Sequence, residues 1–250
     1  FYVKIFPMRA LVITDIHGNS VALETVLNHV KDEIDAVWCL GDVVGYGPNP
    51  NECISLLKEQ NNLICLLGNH DAAAAKDMDI SSFNTEARQS VEWTKNELSK
   101  ENLSFLQNLP ETAVIDQVTL AHGSPRQPVF EYLLDSQVAQ ENFGFFDTNY
   151  CFVGHTHLPV HFYLDPASKI TSLNIPEVDR INSILSRSIL NPGSIGQPRD
   201  RDPRSSFAIF DSEEKSWDYR RIEYNIKKTQ KRMSSYKMPE RQIVRLSSGW

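Results

Sequence analysis

Short apolar runs, each ending abruptly in a polar cluster, punctuate the first half of the chain. Arg9 to Thr14 is rich in β-formers and breaks into Asp15-Ile16-His17-Gly18-Asn19. From Ser20 the spacing changes, and Val21, Leu23, Val26, Leu27 and Val30 fall on one face of a helix. Ala36 to Leu40 is the next strand-like run and ends in Gly41-Asp42. A loop rich in Gly, Pro and Asn leads to a second amphipathic helix from about Pro50 to Gln60. Leu63 to Leu67 follows and ends in Gly68-Asn69-His70-Asp71. Three strand-then-helix units in succession predict a parallel α/β sheet.

Helical spacing over residues 82–108 predicts a helix pair that either covers the strand ends or packs on the sheet. Beyond Pro110 the period shortens. Ala113 to Asp116 and Val118 to Ala121 are predicted to pair through a tight turn, the second ending in His122-Gly123-Ser124. Ser136 to Asn142 has helical spacing, and Tyr150 to Val153 is a strand ending in Gly154-His155-Thr156-His157. Val160 to Leu164, Ser188 to Leu190, Phe207 to Phe210 and Trp217 to Ile222 are further strands. Asp165 to Ser186 has weak periodicity and is predicted as loop or hairpin. From Asn225 the chain turns basic, through Lys227, Lys228, Lys231 and Arg232, and a short helix and tail are expected. No internal repeat or low-complexity linker divides the chain, so one domain over residues 8–250 is expected, with 1–7 as leader or extension.

The 250 residues suffice for a full core, and 41% hydrophobic with 23% charged residues is ordinary for a globular protein. The net charge of −7 argues against a nucleic-acid or membrane-surface partner. An anionic substrate remains compatible, because bound cations reverse the local charge. No apolar run approaches the roughly 20 residues of a membrane span. The apolar start, Phe1 to Pro7, lacks the flanks of a signal peptide, so the expected location is cytoplasmic. Cys39, Cys53, Cys65 and Cys151 have no paired spacing, and reduced core cysteines are the expectation.

The polar clusters carry the chemistry. Ligands of open α/β sheets bind beyond the carboxyl ends of strands, so residues distant in sequence converge there. Each cluster alone has a plain reading. Asp15 equally well caps the following helix, Asp42 and Asn69 suit turns, and a lone His122 is more often a satisfied core histidine. Jointly they point elsewhere, since five of the seven histidines (His17, His70, His122, His155, His157) fall in these clusters, leaving only His29 and His161 outside. Carboxylate, imidazole and amide oxygen without thiolate suit Mn, Fe, Zn, Co or Ni. Asp15, His17, Asp42, Asn69, His122, His155 and His157 are too many for one tetrahedral ion and about right for two.

These motifs, with Gly41-Asp42-Val43-Val44-Gly45-Tyr46-Gly47-Pro48 and Asn191-Pro192-Gly193-Ser194-Ile195-Gly196-Gln197-Pro198-Arg199-Asp200, resemble the signature of calcineurin-like metallophosphoesterases. The likeness is to the small bacterial and archaeal branch of phosphodiesterases and diadenosine tetraphosphatase-like enzymes, and it runs in family order from about Met8 to the C-terminal segment. It implies a four-layer α/β/β/α sandwich with two facing mixed β-sheets. It also implies two divalent transition ions, manganese first, with Fe, Zn, Ni or Co compatible. Asp15, His17 and His157 would join Asp42 on one ion, and Asn69, His122 and His155 would join Asp42 on the other.

The expected reaction is hydrolysis of a phosphate ester, whether phosphomonoester, phosphodiester or dinucleoside polyphosphate, by a hydroxide bridging the ions. His70, one residue from ligand Asn69, is the candidate proton donor, and Asp71 the residue that orients it. Arg126, Arg199 and Arg204 are candidate phosphate clamps, with Arg199 favoured by its place in the Asn-Pro-Gly-Ser element. Asn19 either contacts substrate or caps the first helix, and Tyr46 either stacks on the leaving group or packs in its loop. The partner is a small phosphorylated molecule, such as a nucleotide. The alternative, a non-catalytic scaffold for a protein partner, sits badly with the presence of His70 and all the ligand positions.

Overall fold

The computed structural model describes residues 8–250 except 77, 79 and 82. The expected leader at 1–7, and the first residue of the helical stretch predicted at 82–108, lie outside the described residues.

The strands are β1 (Arg9–Ile13), β2 (Ala36–Cys39), β3 (Leu63–Cys65), β4 (Thr112–Ile115), β5 (Val118–Ala121), β6 (Tyr150–Phe152), β7 (Pro159–Leu164), β8 (Thr171–Asn174), β9 (Arg180–Ser183), β10 (Ser188–Pro192), β11 (Ser205–Asp211) and β12 (Ser216–Ile222). They form two six-stranded sheets, ordered β3-β2-β1-β11-β12-β9 and β4-β5-β6-β10-β7-β8. β1, β2 and β3 run parallel, as do β5, β6 and β10, while the remaining pairs are antiparallel.

The period of two in each strand sets the layers. Leu11 and Ile13 of β1, with Phe207 and Ile209 of β11, pack on Leu23 and Val26 of α1 (Ser20–Val30) and on Ile54 and Leu57 of α2 (Pro50–Lys58). The alternate residues Ala10, Val12, Ala208 and Phe210 face the second sheet and meet Leu120 and Phe152. Trp38, Phe152, Phe210 and Trp217 fill this inter-sheet layer, with ring centroids between 4.8 and 6.2 Å apart. On the far side, Cys151, Phe162 and Ile189 cover Ala139 of a helix at Ser136–Asn142 and Phe143 of the 3-10 turn after it. All four cysteines are buried and free.

Three expectations change. Gly68-Asn69-His70-Asp71 is more than a loop, because Asn69 opens a helix, α3 (Asn69–Ala75). The helices predicted after it are α4 (Thr85–Glu97) and α5 (Lys100–Gln107), and the helix at Ser136–Asn142 is α6. The stretch Asp165 to Ser186 is not a hairpin. β8 pairs with β7 and β9 pairs with β12, so the segment crosses from one sheet to the other and supplies an edge strand to each. Edge strands with few buried positions carry little alternation, and both Leu173 and Ile181 are exposed.

The basic C-terminal segment is likewise not a tail. It forms α7 (Ile226–Ser235), capped by Asn225, and α8 (Glu240–Ser248), and buries Met233 and Leu246. No described helix is long and apolar enough to cross a membrane.

Candidate metal centre

The polar clusters beyond β1, β2, β3, β5 and β6 meet at one end of the sandwich. Backbone bonds lace them together. The Asp15 amide donates to Gly41, the His17 amide to Asp42, the Gly18 amide to Val43 and the Gly154 amide to His122, at 2.7–3.0 Å. The Asn-Pro-Gly-Ser element ties the two sheets. Asn191 Nδ2 donates to the Gly154 carbonyl at 2.7 Å, and Ser194 Oγ donates to the Asp15 carbonyl at 2.8 Å. Gly68 can carry no side chain, since a Cβ there would lie 2.1 Å from Asp42 Oδ1.

Four imidazoles are each held at one ring nitrogen by a main-chain carbonyl. His17 Nδ1 donates to Val44 (3.2 Å), His122 Nδ1 to Leu40 (3.1 Å), His155 Nε2 to Phe130 (3.2 Å) and His157 Nδ1 to Gln197 (2.6 Å). The other nitrogen of each ring then presents a lone pair, and all four turn inward. His17 Nε2 and His157 Nε2 stand 3.0 Å apart, and His122 Nε2 lies 3.1 Å from Asn69 Oδ1 and 3.2 Å from His155 Nδ1. Lone pairs this close repel unless a proton or a cation sits among them. Asp42 Oδ2 stands between the two groups, 3.6 Å from His17 Nε2 and 3.5 Å from His122 Nε2. Asp15 Oδ1 is 3.2 Å from His157 Nε2, buried, and without a hydrogen-bond donor.

Ligand atoms of Asp15, His17 and His157, and separately those of Asp42, His122 and His155, lie within 4.8 Å of one another. The orphaned carboxylate oxygen and facing lone pairs fit a pair of divalent cations, and the donor set suits first-row transition ions.

The electrostatics agree with the geometry. Burial opposes charge on Asp15 and Asp42, but the imidazoles overrule it: His157 and His17 hold Asp15, and His122 and His70 hold Asp42, well below the ordinary carboxylate range. Burial, helped by the charge of His122, brings His155 down to about 4. Burial and then Arg199 hold His157 well below its ordinary value. Burial also acts against His122, yet Asp42, with Asp15 and Asp71 behind it, lifts it to about 9.

His70 lies against this cluster. Its amide donates to Asp42 Oδ1 at 2.8 Å, and its ring packs on Tyr46 (centroids 4.5 Å), His17 (5.0 Å) and Phe83 (5.4 Å). Its Nδ1 is buried and has no partner among the described residues. No hydrogen bond or ion pair joins Asp71 to His70 among the described residues. The Asp71 carboxylate accepts the amides of Val43 (3.2 Å), Val44 (3.0 Å) and Gly68 (3.0 Å), so it braces the loops that carry Asp42 and Asn69. The expectation that Asp71 orients His70 is corrected: successive residues of α3 project about 100° apart, and the Asp71 carboxylate accepts from the three amides instead.

The other candidates separate as well. Asn19 spends every polar valence on structure. Its Oδ1 caps α1 through Ala22 and accepts from Thr229, and its Nδ2 donates to Gly196 and Tyr224, so it is not free for substrate. Arg126 is engaged by Glu131 and Glu141, and Arg204 by Asp202. Neither guanidinium is free as a phosphate clamp. Arg199 differs, with no carboxylate partner among the described residues and a buried, unpartnered Nε. Its guanidinium stands 5.8 Å from the centre of the Tyr46 ring.

Tyr132 escaped the sequence reading. Its ring stacks on His155 at 3.7 Å and is half exposed at the site's rim. It sits in a Pro- and Gln-containing loop with no periodic signal. The carbonyls of Phe130 and Gln197, which fix two of the imidazoles, are equally invisible to a search by side-chain type.

The profile of the calcineurin-like phosphoesterase superfamily domain matches residues 8–215. The chain is 37% identical to an uncharacterized protein from Methanocaldococcus jannaschii over 235 residues, covering 92% of this chain and 93% of that one. It is 40% identical to a metallophosphoesterase from Sphaerobacter thermophilus of known structure, with a TM-score of 0.88 over 98% of this chain and 100% of that chain. A shorter stretch of 67 residues, 26% of this chain and 23% of the relative, is 37% identical to the symmetrical bis(5'-nucleosyl)-tetraphosphatase of Baumannia cicadellinicola. The chain therefore belongs to the calcineurin-like phosphoesterase superfamily, the metal-dependent hydrolases of phosphate esters whose fold and converging Asp/His cluster it carries.

Proposed function

We propose that Asp15, His17, His157 and Asp42 hold one divalent cation, that Asn69, His122, His155 and Asp42 hold a second, and that the pair serves hydrolysis of a phosphate ester. The observation that carries this reading is the set of tethered imidazoles, whose free nitrogens face Asp15 Oδ1, Asp42 Oδ2 and Asn69 Oδ1. Bound there, the cations would supply Lewis acidity to a phosphoryl oxygen and lower the pKa of a water enough to give hydroxide near neutral pH. Manganese is the leading candidate among Mn, Fe, Zn, Ni and Co, because hard carboxylate and amide oxygens share the site with imidazole.

The protein's own groups do the rest. Asp42 would serve both cations, since its Oδ2 lies 3.6 Å from His17 Nε2 and 3.5 Å from His122 Nε2. The main-chain carbonyls of Val44, Leu40, Phe130 and Gln197 fix the orientation of the four rings and leave the inward nitrogen of each to meet a cation. His70 is the proposed proton donor to the departing oxygen, through a nitrogen that lies within 4.8 Å of ligand atoms of His17 and Asp42. Burial holds its imidazole down at about 3, so the role requires the charge of a bound phosphoryl group to raise it. Tyr132, half exposed beside His155, would offer an aromatic face to the leaving group, whereas Tyr46 is buried against His17 and His70. Phosphomonoesters, phosphodiesters and dinucleoside polyphosphates are the candidate substrates, the last supported by the short match to the tetraphosphatase.

The test is His70→Ala assayed with Mn²⁺. Turnover of alkyl phosphates is expected to fall by about 10²–10⁴-fold, and that of p-nitrophenyl phosphate, whose leaving group needs no proton, by much less. Equal losses on both would remove His70 from the acid role. Full activity of wild type after exhaustive metal removal would overturn the metal scheme.

A further inference from the structure

Beside the metal cluster lies a cavity of about 400 Å³ whose wall includes Tyr46, Glu86, Arg199, Arg241 and Arg245. Small-ligand pockets run to roughly 300–1,000 Å³, so it is large enough to take a substituent of a substrate. Three guanidiniums face one carboxylate, in a chain whose net charge is −7. The lone carboxylate is already engaged, since Glu86 accepts from Gln242 Nε2 at 2.9 Å and lies 3.8 Å from Arg241.

Elsewhere Arg126, Arg204, Arg220 and Arg221 are all neutralised by neighbouring carboxylates. Arg199 and Arg245 are in no ion pair among the described residues. Arg199 donates to Gln197 Oε1 at 2.9 Å and leaves a buried Nε unpartnered. Arg245 donates to the Trp250 carbonyl and, at 3.3 Å, to Gln242 Oε1. Burial, and after it the neighbouring Arg199, brings Arg245 down to about 10, so charge on this guanidinium is costly where it stands. An oxyanion would relieve it.

The cavity is joined to the site through Tyr46. The Tyr46 ring lies 4.8 Å from that of His17 and 4.5 Å from that of His70, and Arg199 approaches the same ring. Arg241 and Arg245 come from α8, which lies beyond residue 215, where the superfamily match ends.

We infer that this arginine-lined cavity is a second oxyanion subsite, which takes a phosphate group of the substrate other than the one under attack. The inference rests on the phosphoesterase reading above and narrows it: the favoured substrates carry at least two phosphate groups. Guanidinium suits this task because it binds phosphate through paired, charge-assisted N–H donors.

The test compares inorganic tripolyphosphate with p-nitrophenyl phosphate, which has one phosphate, in the full chain with Mn²⁺. In R241Q and R245Q, kcat/KM for tripolyphosphate is expected to fall by about tenfold, mainly through KM, and several-fold more than for p-nitrophenyl phosphate. R245K, which keeps the charge, is expected to regain part of the loss. Equal falls on both substrates, or none, would overturn the inference while leaving the phosphoesterase reading intact. A separate anion is the other source of this chemistry. If orthophosphate alters p-nitrophenyl phosphate turnover in wild type and not in the R241Q/R245Q pair, the cavity is an effector site and the substrate reading fails. Calorimetric binding of tripolyphosphate to the same proteins decides the matter even where turnover is absent: undiminished affinity in R241Q and R245Q would sink the subsite, whereas loss of turnover on every substrate in wild type would sink the phosphoesterase reading.

Discussion

Asp71→Asn separates bracing from catalysis. The carboxylate accepts three main-chain amides, two on Oδ2 and one on Oδ1, from Gly68, Val43 and Val44. An amide side chain keeps one acceptor oxygen. Turned so that oxygen meets Gly68 and Val43, its NH₂ group faces the Val44 N–H, donor against donor. A buried hydrogen bond to a charged group contributes about 1.5–3 kcal/mol. The loss is partly offset, because burial and the nearby Asp42 already make charge on Asp71 costly and lift it to about 6.

The net destabilisation is therefore expected near the middle of that range, about 2 kcal/mol. In a chain of this size that lowers Tm by about 4–8 °C. The measurement is thermal unfolding of the metal-free protein, followed by Mn²⁺ affinity and turnover on alkyl and aryl phosphates. Because Asp71 braces the loops bearing Asp42 and Asn69, metal affinity is expected to fall and turnover to drop alike on both substrates at limiting metal. An unchanged Tm, with turnover lost only on alkyl phosphates, would refute the bracing role and return Asp71 to His70.

Three other outcomes follow from the same contacts. Asn19→Ala removes a helix cap and the bonds to Tyr224 and Thr229, so a loss of about 1–2 kcal/mol in chemical denaturation is expected. Glu131, bound by Arg126, Ser124 and Asn142, is pulled from the ordinary 4.5 down to about 2, so its stabilisation is present above pH 4.5 and lost as pH falls towards 2. The Tm difference between wild type and E131Q is expected to shrink across that window, and a constant difference would discount the carboxylate's charge. Chelation is expected to abolish turnover, with Mn²⁺ restoring it, as measured by a metal-replacement series on p-nitrophenyl phosphate.

The sequence made the parallel strands and their polar ends legible because most positions of β1, β2, β5 and β6 are buried on both faces. β1, β2 and the strand-end clusters leave no ambiguity about where chemistry gathers. The edge strands β8 and β9 were illegible for the opposite reason: with one neighbour each and few buried positions, nothing forces their side chains to alternate. Residue type located Asp15, Asp42 and the histidines, but type alone could not orient them. Asp71 follows His70 directly, yet the step of about 100° between successive helix positions sends it to the backbone of another loop. Arg126 and Arg199 look equivalent as letters, and only the fold reveals that one is neutralised and the other is not. Arg241 and Arg245 lie far from any motif and reach the site because α8 packs back on α7.

The backbone at the site adds a further reason for its residue types. Asp15, His17, Asp42, His155 and His157 all have φ between 49° and 66°, in the left-handed region. For residues with a Cβ such a conformation costs about 1–2 kcal/mol each relative to ordinary geometry, although Asp and His tolerate it better than most. Five such residues in one place are not required by turn-making, which glycine would do at lower cost. They are required if each turn must both reverse the chain at a strand end and aim a carboxylate or imidazole back across it. The strain is held by the lacing of amides to carbonyls between loops and by the Asn191 and Ser194 side chains. A cation bound by the same residues would offset it further, since ligand binding to the folded state alone adds about 4 kcal/mol at a thousandfold excess over Kd. Local strain, inter-loop lacing and ligand chemistry thus select the same positions, and this agreement is what sets these polar strand ends apart from ordinary caps and turns.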